Sequence, residues 1–249
     1  MCGGCQPPIP FMTYGRDVTG KRTRLLAVVA AAVAVAAVAI VASIVTSSST
    51  DKSGELRGAS EVRSLMRGIP QRGYTLGRSD APATLIEFVD LQCPYCAQLA
   101  RDGLPAIIAN EVRSGRLRLE LRILSFLGPD SQTAARFAAG AARQNRVWQF
   151  TELFFRNQGR ENSGYVTEDF LRKVAGAIDG LDVDRALAFS RTPESEDDLE
   201  RANSEARKLG VTATPTLFLV QGGGRPRQLA LSDLTAEAVR SAISAARQP

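Results

Sequence analysis

The chain has 249 residues, 44% hydrophobic and 23% charged, which allows a packed core and excludes a wholly disordered chain. Its formal net charge is +5, but four basic residues and one acidic residue before residue 25 account for +3 of it, and no basic stripe interleaved with aromatics follows, which argues against nucleic acid as a partner. The sequence contains no histidine, so His-based metal sites, Cys–His nucleophile pairs and Ser–His–Asp triads are excluded on this chain.

Residues 25–45 form a run of Ala, Val, Ile and Leu broken only by Ser43. At about 1.5 Å per helical residue the run can cross a hydrocarbon core of about 30 Å, so it reads as a single transmembrane helix acting as a signal anchor. A secretory signal peptide is the rival reading. Its apolar region is usually shorter, about 7–15 residues, but small residues near Ala39 and Ala42 leave cleavage open. Arg16, Lys21, Arg22 and Arg24 flank the run on its amino-terminal side, whereas Asp51, Lys52 and Glu55 nearly cancel on the other. The positive-inside rule then predicts a cytoplasmic tail over residues 1–24 and an extracytoplasmic location for everything after Val45. Residues 46–70 are Ser/Thr-rich and then charged, with a short helix over 60–66, and read as a tether.

From residue 71 to 249 the pattern is that of a folded domain. Residues 83–91 (ATLIEFVDL) are nearly all apolar, as in a strand covered on both faces. Pro94 opens a helical stretch over 95–112, which ends at Ser114-Gly115. Residues 116–126 place Leu117, Leu119, Leu121 and Ile123 on one face, predicting a second strand with a wet side and completing a βαβ unit. Helical spacing follows over 131–155, 167–178, 183–190 and 194–209, with acidic residues from Glu194 to Asp198 at the start of the last. A strand over 216–220, a turn at Gly222-Gly223-Gly224 and a hairpin partner over 227–231 lead to a closing amphipathic helix at 235–247, capped by Thr235.

The four cysteines form two Cys-x-x-Cys pairs, Cys2/Cys5 and Cys93/Cys96. Thiol–disulfide exchange needs an attacking thiolate and a second thiol near enough to resolve the mixed disulfide. A sulfur at a helix start meets unpaired N–H groups and the positive dipole end, which lowers its pKa. This points to Cys93 as nucleophile and Cys96 as resolving thiol, with Pro94 fitting the first turn; the reading requires both sulfurs to be open to visiting polypeptides. A purely structural disulfide and a metal site are the alternatives, and the metal site lacks further ligands. Thr214-Pro215 precedes a core strand, where a cis bond fits better than an ordinary trans proline. Glu87, inside the most apolar strand, is either a proton acceptor for Cys96 or an edge-facing, solvent-linked side chain.

With LGRSDAPATLIEFVDLQCPYC and GVTATPT in view, the chain resembles the DsbA-like branch of the thioredoxin superfamily over roughly residues 73–246. The resemblance implies an α/β thioredoxin-like fold with a central helical insertion at about residues 128–209, here preceded by the single transmembrane helix. It implies that Thr214 and Pro215 face Cys93 and hold the substrate backbone, and that Glu87 is the family's buried acid. It implies no cofactor and no metal beyond a redox-active Cys93–Cys96 disulfide. Strongly oxidising members carry His in the slot that Tyr95 fills here. Tyr95 supplies no positive charge, so the Cys93 pKa is expected above the ~3.5 of DsbA, and the potential below its ~−120 mV.

Cys2 and Cys5 would lie in the cytoplasm, as a metal or redox contact, a lipidation site, or incidental thiols. Three functions are consistent with these readings. The first is an oxidase at the cell membrane that donates a disulfide to exported proteins and is recharged by a membrane quinone-linked thiol oxidase. The second is an isomerase or reductase fed with electrons. The third is a chaperone-type binding module.

Overall fold

The computed structural model describes residues 56–247. The expected cytoplasmic tail, the apolar run at 25–45, Cys2, Cys5 and the tether up to residue 55 lie outside the described residues. Among the described residues no helix is long and apolar enough to cross a membrane.

Helix α1 (Ala59–Met66) covers the stretch expected to be helical within the tether. It belongs to the folded body, because Ala59, Val62 and Met66, at helical spacing, are buried in the main core. The packed unit therefore starts ahead of residue 71. Strands β1 (Gln71–Arg72) and β2 (Thr75–Leu76) form a small hairpin. Strand β3 (Ala83–Asp90) is buried at every residue. Helix α2 (Pro94–Gln98) opens the active-site helix, which runs on through a π-helical stretch (Leu99–Gly103), α3 (Leu104–Ile107) and a second π-helical stretch (Ile108–Val112). The sequence predicted an uninterrupted helix here. Pro105 contributes to the departure, since it has no N–H with which to continue the α-helical ladder.

Strand β4 (Arg118–Leu124) alternates buried and half-buried residues, as its wet side required. It pairs parallel to β3, so the βαβ unit is present. Strand β5 (Thr216–Gln221) pairs antiparallel to β3 on its other side, and β6 (Arg227–Gln228) pairs antiparallel to β5. The six strands run in the order β1-β2-β4-β3-β5-β6, with β3 central.

The insertion comprises α4 (Pro129–Ala142), α5 (Val147–Arg156), α6 (Glu168–Gly176), α7 (Val183–Ser190) and α8 (Pro193–Lys208). Expected as one stretch, α4 and α5 are separated at Asn145, whose φ of 57° leaves the helical region. Gly140 lets α4 lie against α7, since a Cβ there would fall 2.5 Å from the Ala186 carbonyl oxygen. Thr167 caps α6 by accepting from the Phe170 N–H. The closing helix α9 (Ala236–Arg247) starts after Thr235, whose hydroxyl accepts from the Ala238 N–H at 3.3 Å.

Period-2 alternation divides β3 between two cores. Leu85 and Val89 point into the larger one, with the active-site helix, α1, α5 and α9, whereas Ile86 and Phe88 meet Ala202 and Ala206 of α8 and Phe218 of β5. Glu87 shares the parity of Leu85 and Val89, so the central strand aims a carboxyl group into the larger core beneath the active-site helix.

Candidate active site

Cys93 stands at the N-cap of α2, with extended backbone (φ −70°, ψ 120°) and Pro94 in the first turn. Its own N–H donates to the Asp90 carbonyl at 3.0 Å. The chain thus leaves the carboxyl end of the central strand, turns once and enters a helix, which sets the sulfur among the free N–H groups of the first turn. Cys96, one turn on, lies on the same side.

The two thiols are electrostatically unlike. The Cys93 pKa is lowered to about 6, chiefly because the Cys96 thiol donates to the Cys93 thiolate; burial opposes this, and the Thr214 side chain and the N–H groups of Cys96 and Tyr95 assist. The Cys96 pKa is raised well above its ordinary value, first by burial and then by the adjacent Cys93 sulfur. Thr214 meets Cys93 twice over: its carbonyl accepts from the Cys93 thiol at 3.2 Å, and its side chain favours the thiolate. The Thr214–Pro215 peptide is cis. Thr214 therefore lies beside Cys93 across more than a hundred residues of sequence, with Pro215 joined to it through the cis bond.

Openness is less than the sequence reading required. Cys93 keeps 4% of its surface and Cys96 none, because the helix packs both into the core, while Tyr95 between them is 63% exposed. The rim of the site is thus Pro94, Tyr95 and Thr214, with the Cys93 sulfur just beneath it and Cys96 behind.

Glu87 is 2% exposed on the central strand, which removes the edge-facing, solvent-linked alternative. Its pKa is raised to about 8, first by burial and then by the like charge of Glu152. Glu152, on α5, was not singled out from the sequence. It is also buried, with its pKa raised to about 7 by burial against the opposing pull of Arg156, which it bridges at 2.6 Å. No local pattern marked it, since its helical neighbours three and four residues away are Trp148 and Phe155 but also Gln149 and Arg156. Burial thus raises the pKa of both acids on the core side of the site. Among the described residues no group of three or more His, Cys, Asp or Glu could hold a metal ion, and the redox chemistry available is that of the two sulfurs.

Comparison with known proteins agrees with this geometry. The thioredoxin family profile matches residues 71–236. The chain is 24% identical over 148 residues to the probable disulfide bond formation protein D of Bacillus cereus, covering 58% of this chain and 68% of that one. Several curated Na(+)/H(+) antiporters also match, but the chain covers only 22–28% of their length. In fold it is similar to oxidised BdbD of Bacillus subtilis, with a TM-score of 0.60 and 21% identity over 71% of this chain and 96% of that one. It is also similar to DsbA2 of Pseudomonas aeruginosa, with a TM-score of 0.55 and 24% identity over 72% and 97% of the respective chains.

Proposed function

We propose, from the premise that this chain belongs to the thioredoxin family and is a thiol–disulfide oxidoreductase, that it donates the Cys93–Cys96 disulfide to exported proteins outside the cytoplasm. The observation that carries the reading is the opposite displacement of the two thiols. A Cys93 thiolate stabilised by hydrogen bonds favours the reduced form of the pair, which makes the disulfide a better oxidant and Cys93 a good leaving group.

In the proposed cycle a substrate thiolate attacks the Cys93 sulfur. The Cys93–Cys96 bond breaks, and Cys96 leaves as a thiolate that takes up a proton. Glu87, protonated near neutral pH and placed on the same core face, is the proposed donor. A second substrate thiolate then attacks the substrate sulfur of the mixed disulfide and expels Cys93 as thiolate. The substrate gains a disulfide, and the protein is left as a dithiol, two electrons richer. Thr214 and Pro215 hold the substrate backbone beside Cys93, with Pro94 and Tyr95 forming the facing rim. A membrane quinone-linked thiol oxidase would take the electrons and restore the disulfide. The apolar run at 25–45 would anchor the domain to the outer side of the cell membrane, with residues 1–24 inside.

Acid quenching and thiol alkylation of intact cells carrying the full chain test the direction. An oxidase is found mainly as the disulfide at rest, and a Cys96→Ala variant accumulates mixed disulfides with exported proteins. A resting dithiol would replace the oxidase with an isomerase or reductase. Capture of no polypeptide at all would remove the exchange reading.

A further inference from the structure

The main chain that delivers Cys93 to the helix, Leu91–Gln92–Cys93, is held by side chains of the helical insertion. Asp90 and Gln92 are buried to 0% and 1% exposure. The Asp90 carboxylate accepts from the Gln92 N–H at 2.9 Å, the Ser131 hydroxyl at 2.6 Å and the Leu127 N–H at 3.1 Å. Gln92 Nε2 donates to Ser131 Oγ and to Asn162 Oδ1, both at 3.1 Å, while its Oε1 accepts from the Asn162 N–H at 2.7 Å. Asn162 also donates through Nδ2 to the Leu127 carbonyl. Gln158 Nε2 reaches the Leu91 carbonyl at 2.8 Å and the Cys93 carbonyl at 3.2 Å.

The fold accommodates these contacts at two places. Asn162 takes a φ of 50°, in the left-handed region. Opposite it, Gly128 has a φ of 125°, and a Cβ there would fall 2.3 Å from Asn162 Oδ1. Only glycine at 128 leaves room for the Asn162 amide to pass. Asp90, Gln92 and Ser131 are buried, while Gln158 is half-buried and Asn162 closes the exposed end. The buried part favours one arrangement, because another would leave a donor or acceptor unpaired away from water.

None of these side chains reaches a sulfur atom, yet they act on the atom that opens the helix. The Cys93 carbonyl accepts from Gln158 and also from the Ala97 N–H at 3.2 Å, the first bond of the helical turn. That carbonyl belongs to the same first helical turn as the Tyr95 and Cys96 N–H groups, which favour the Cys93 thiolate. We propose that Gln92, Gln158 and Asn162, anchored on Asp90 and Ser131, form a clasp through which the helical insertion positions the Cys93–Cys96 pair for exchange. They are positioning residues. The inference rests on the oxidoreductase reading above and adds to it a task for the loop between α5 and α6.

The test uses the full chain with Gln158→Met and Gln92→Met, which keep side-chain length and lose the hydrogen bonds. Gln144→Met is the control. Gln144 makes two comparable bonds, to the Asp182 carbonyl and from the Asp182 N–H, both at 2.9 Å, at the start of α7 and away from the cysteines. Thiolate absorbance, equilibrium with glutathione and urea unfolding are measured for each. The clasp variants are expected to move the Cys93 titration midpoint up, toward the ~8.5 of an ordinary thiol. The less stable thiolate should shift the glutathione equilibrium toward the protein disulfide about tenfold, or about 30 mV for two electrons. Gln144→Met is expected to lose stability with neither shift.

Clasp variants that lose stability as Gln144→Met does, at the wild-type midpoint and potential, would overturn the proposal. Gln158 is only partly buried, so its variant decides the question where Gln92→Met yields too little folded protein. A wild-type chain that oxidises no reduced test peptide would remove the functional reading, while the same titrations would still decide whether the clasp tunes Cys93.

Discussion

The rim of the active site and the core behind it adjoin one another, with Cys93 and Cys96 three residues apart, yet they treat ionisation in opposite ways. At the rim, Cys93 sits among a thiol, a Thr side chain and two helix N–H groups, and hydrogen bonding outweighs its burial. Behind it, Cys96, Glu87 and Glu152 lie in apolar surroundings with too few compensating groups, and burial wins for all three. Burial alone does not decide the charge state of a site. What decides it is whether donors accompany the buried atom.

The largest effect expected from breaking that contrast is at the sulfurs themselves. Cys93→Ser should abolish disulfide transfer to a reduced peptide, whereas Cys96→Ala should stop turnover yet accumulate a mixed disulfide visible on a non-reducing gel. Equal capture by both variants would mean that the division between rim and core does not order the two roles.

Next in size is Glu87→Gln. Folding raises the Glu87 pKa from an ordinary 4.5 to about 8, so the folded state favours the protonated acid. The stability this protonated form contributes is complete below about 4.5 and is lost as pH rises through about 8. Wild-type stability to urea should therefore fall between pH 5 and pH 8, by an amount on the order of a few kcal/mol. Glu87→Gln keeps the shape without the charge and should flatten most of that slope. A slope unchanged by the substitution would show that Glu87 is not the group responsible. In the exchange assay the same variant should slow the step in which Cys96 leaves.

Glu152→Gln should act less strongly, partly by removing the pH dependence of its own raised pKa, about 7, and partly through Glu87. Removing its like charge lets the Glu87 pKa fall, so the alkaline limb of the stability profile should move to lower pH. An unmoved limb would mean that the two acids titrate independently.

How much of this contrast was legible in the sequence follows from what each part depends on. Strand β3 was legible because both of its faces are covered and its residues are nearly all apolar, and Cys93 because a Cys-x-x-Cys with Pro94 sits where a strand gives way to a helix. Thr214-Pro215 was legible because proline is rare at the entry to a core strand. Glu152 was passed over because a glutamate in an amphipathic helix ordinarily faces water, and only the packing of α5 shows that this one does not. Gln158 and Asn162 lie in a polar loop, where sequence cannot tell an amide that holds another segment from one that meets solvent. Pro105 was a local warning of a departure within 99–112, but where the two π-helical stretches fall depends on how the helix fits against its neighbours. Helix α1 looked like part of a tether because it follows a Ser/Thr-rich and then charged stretch, although three buried positions suffice to dock it.

The smallest expected effect sharpens the rim side of the comparison. Tyr95 stands between the cysteines and offers its N–H, but no cation, to Cys93. Tyr95→His would add a titratable cation next to the thiolate, in a slot that is 63% exposed. At that exposure water and salt screen the attraction, so a gain well below that of a buried ion pair is expected. The Cys93 midpoint should fall modestly below about 6, and the glutathione equilibrium should move severalfold toward the dithiol, making the disulfide more oxidising. The shift should shrink above the imidazole pKa of ~6.5, where His loses its charge, and at high ionic strength. A shift indifferent to both would assign the change to altered rim packing, and no shift at all would mean that the N–H groups and the Cys96 thiol already set the Cys93 thiolate by themselves.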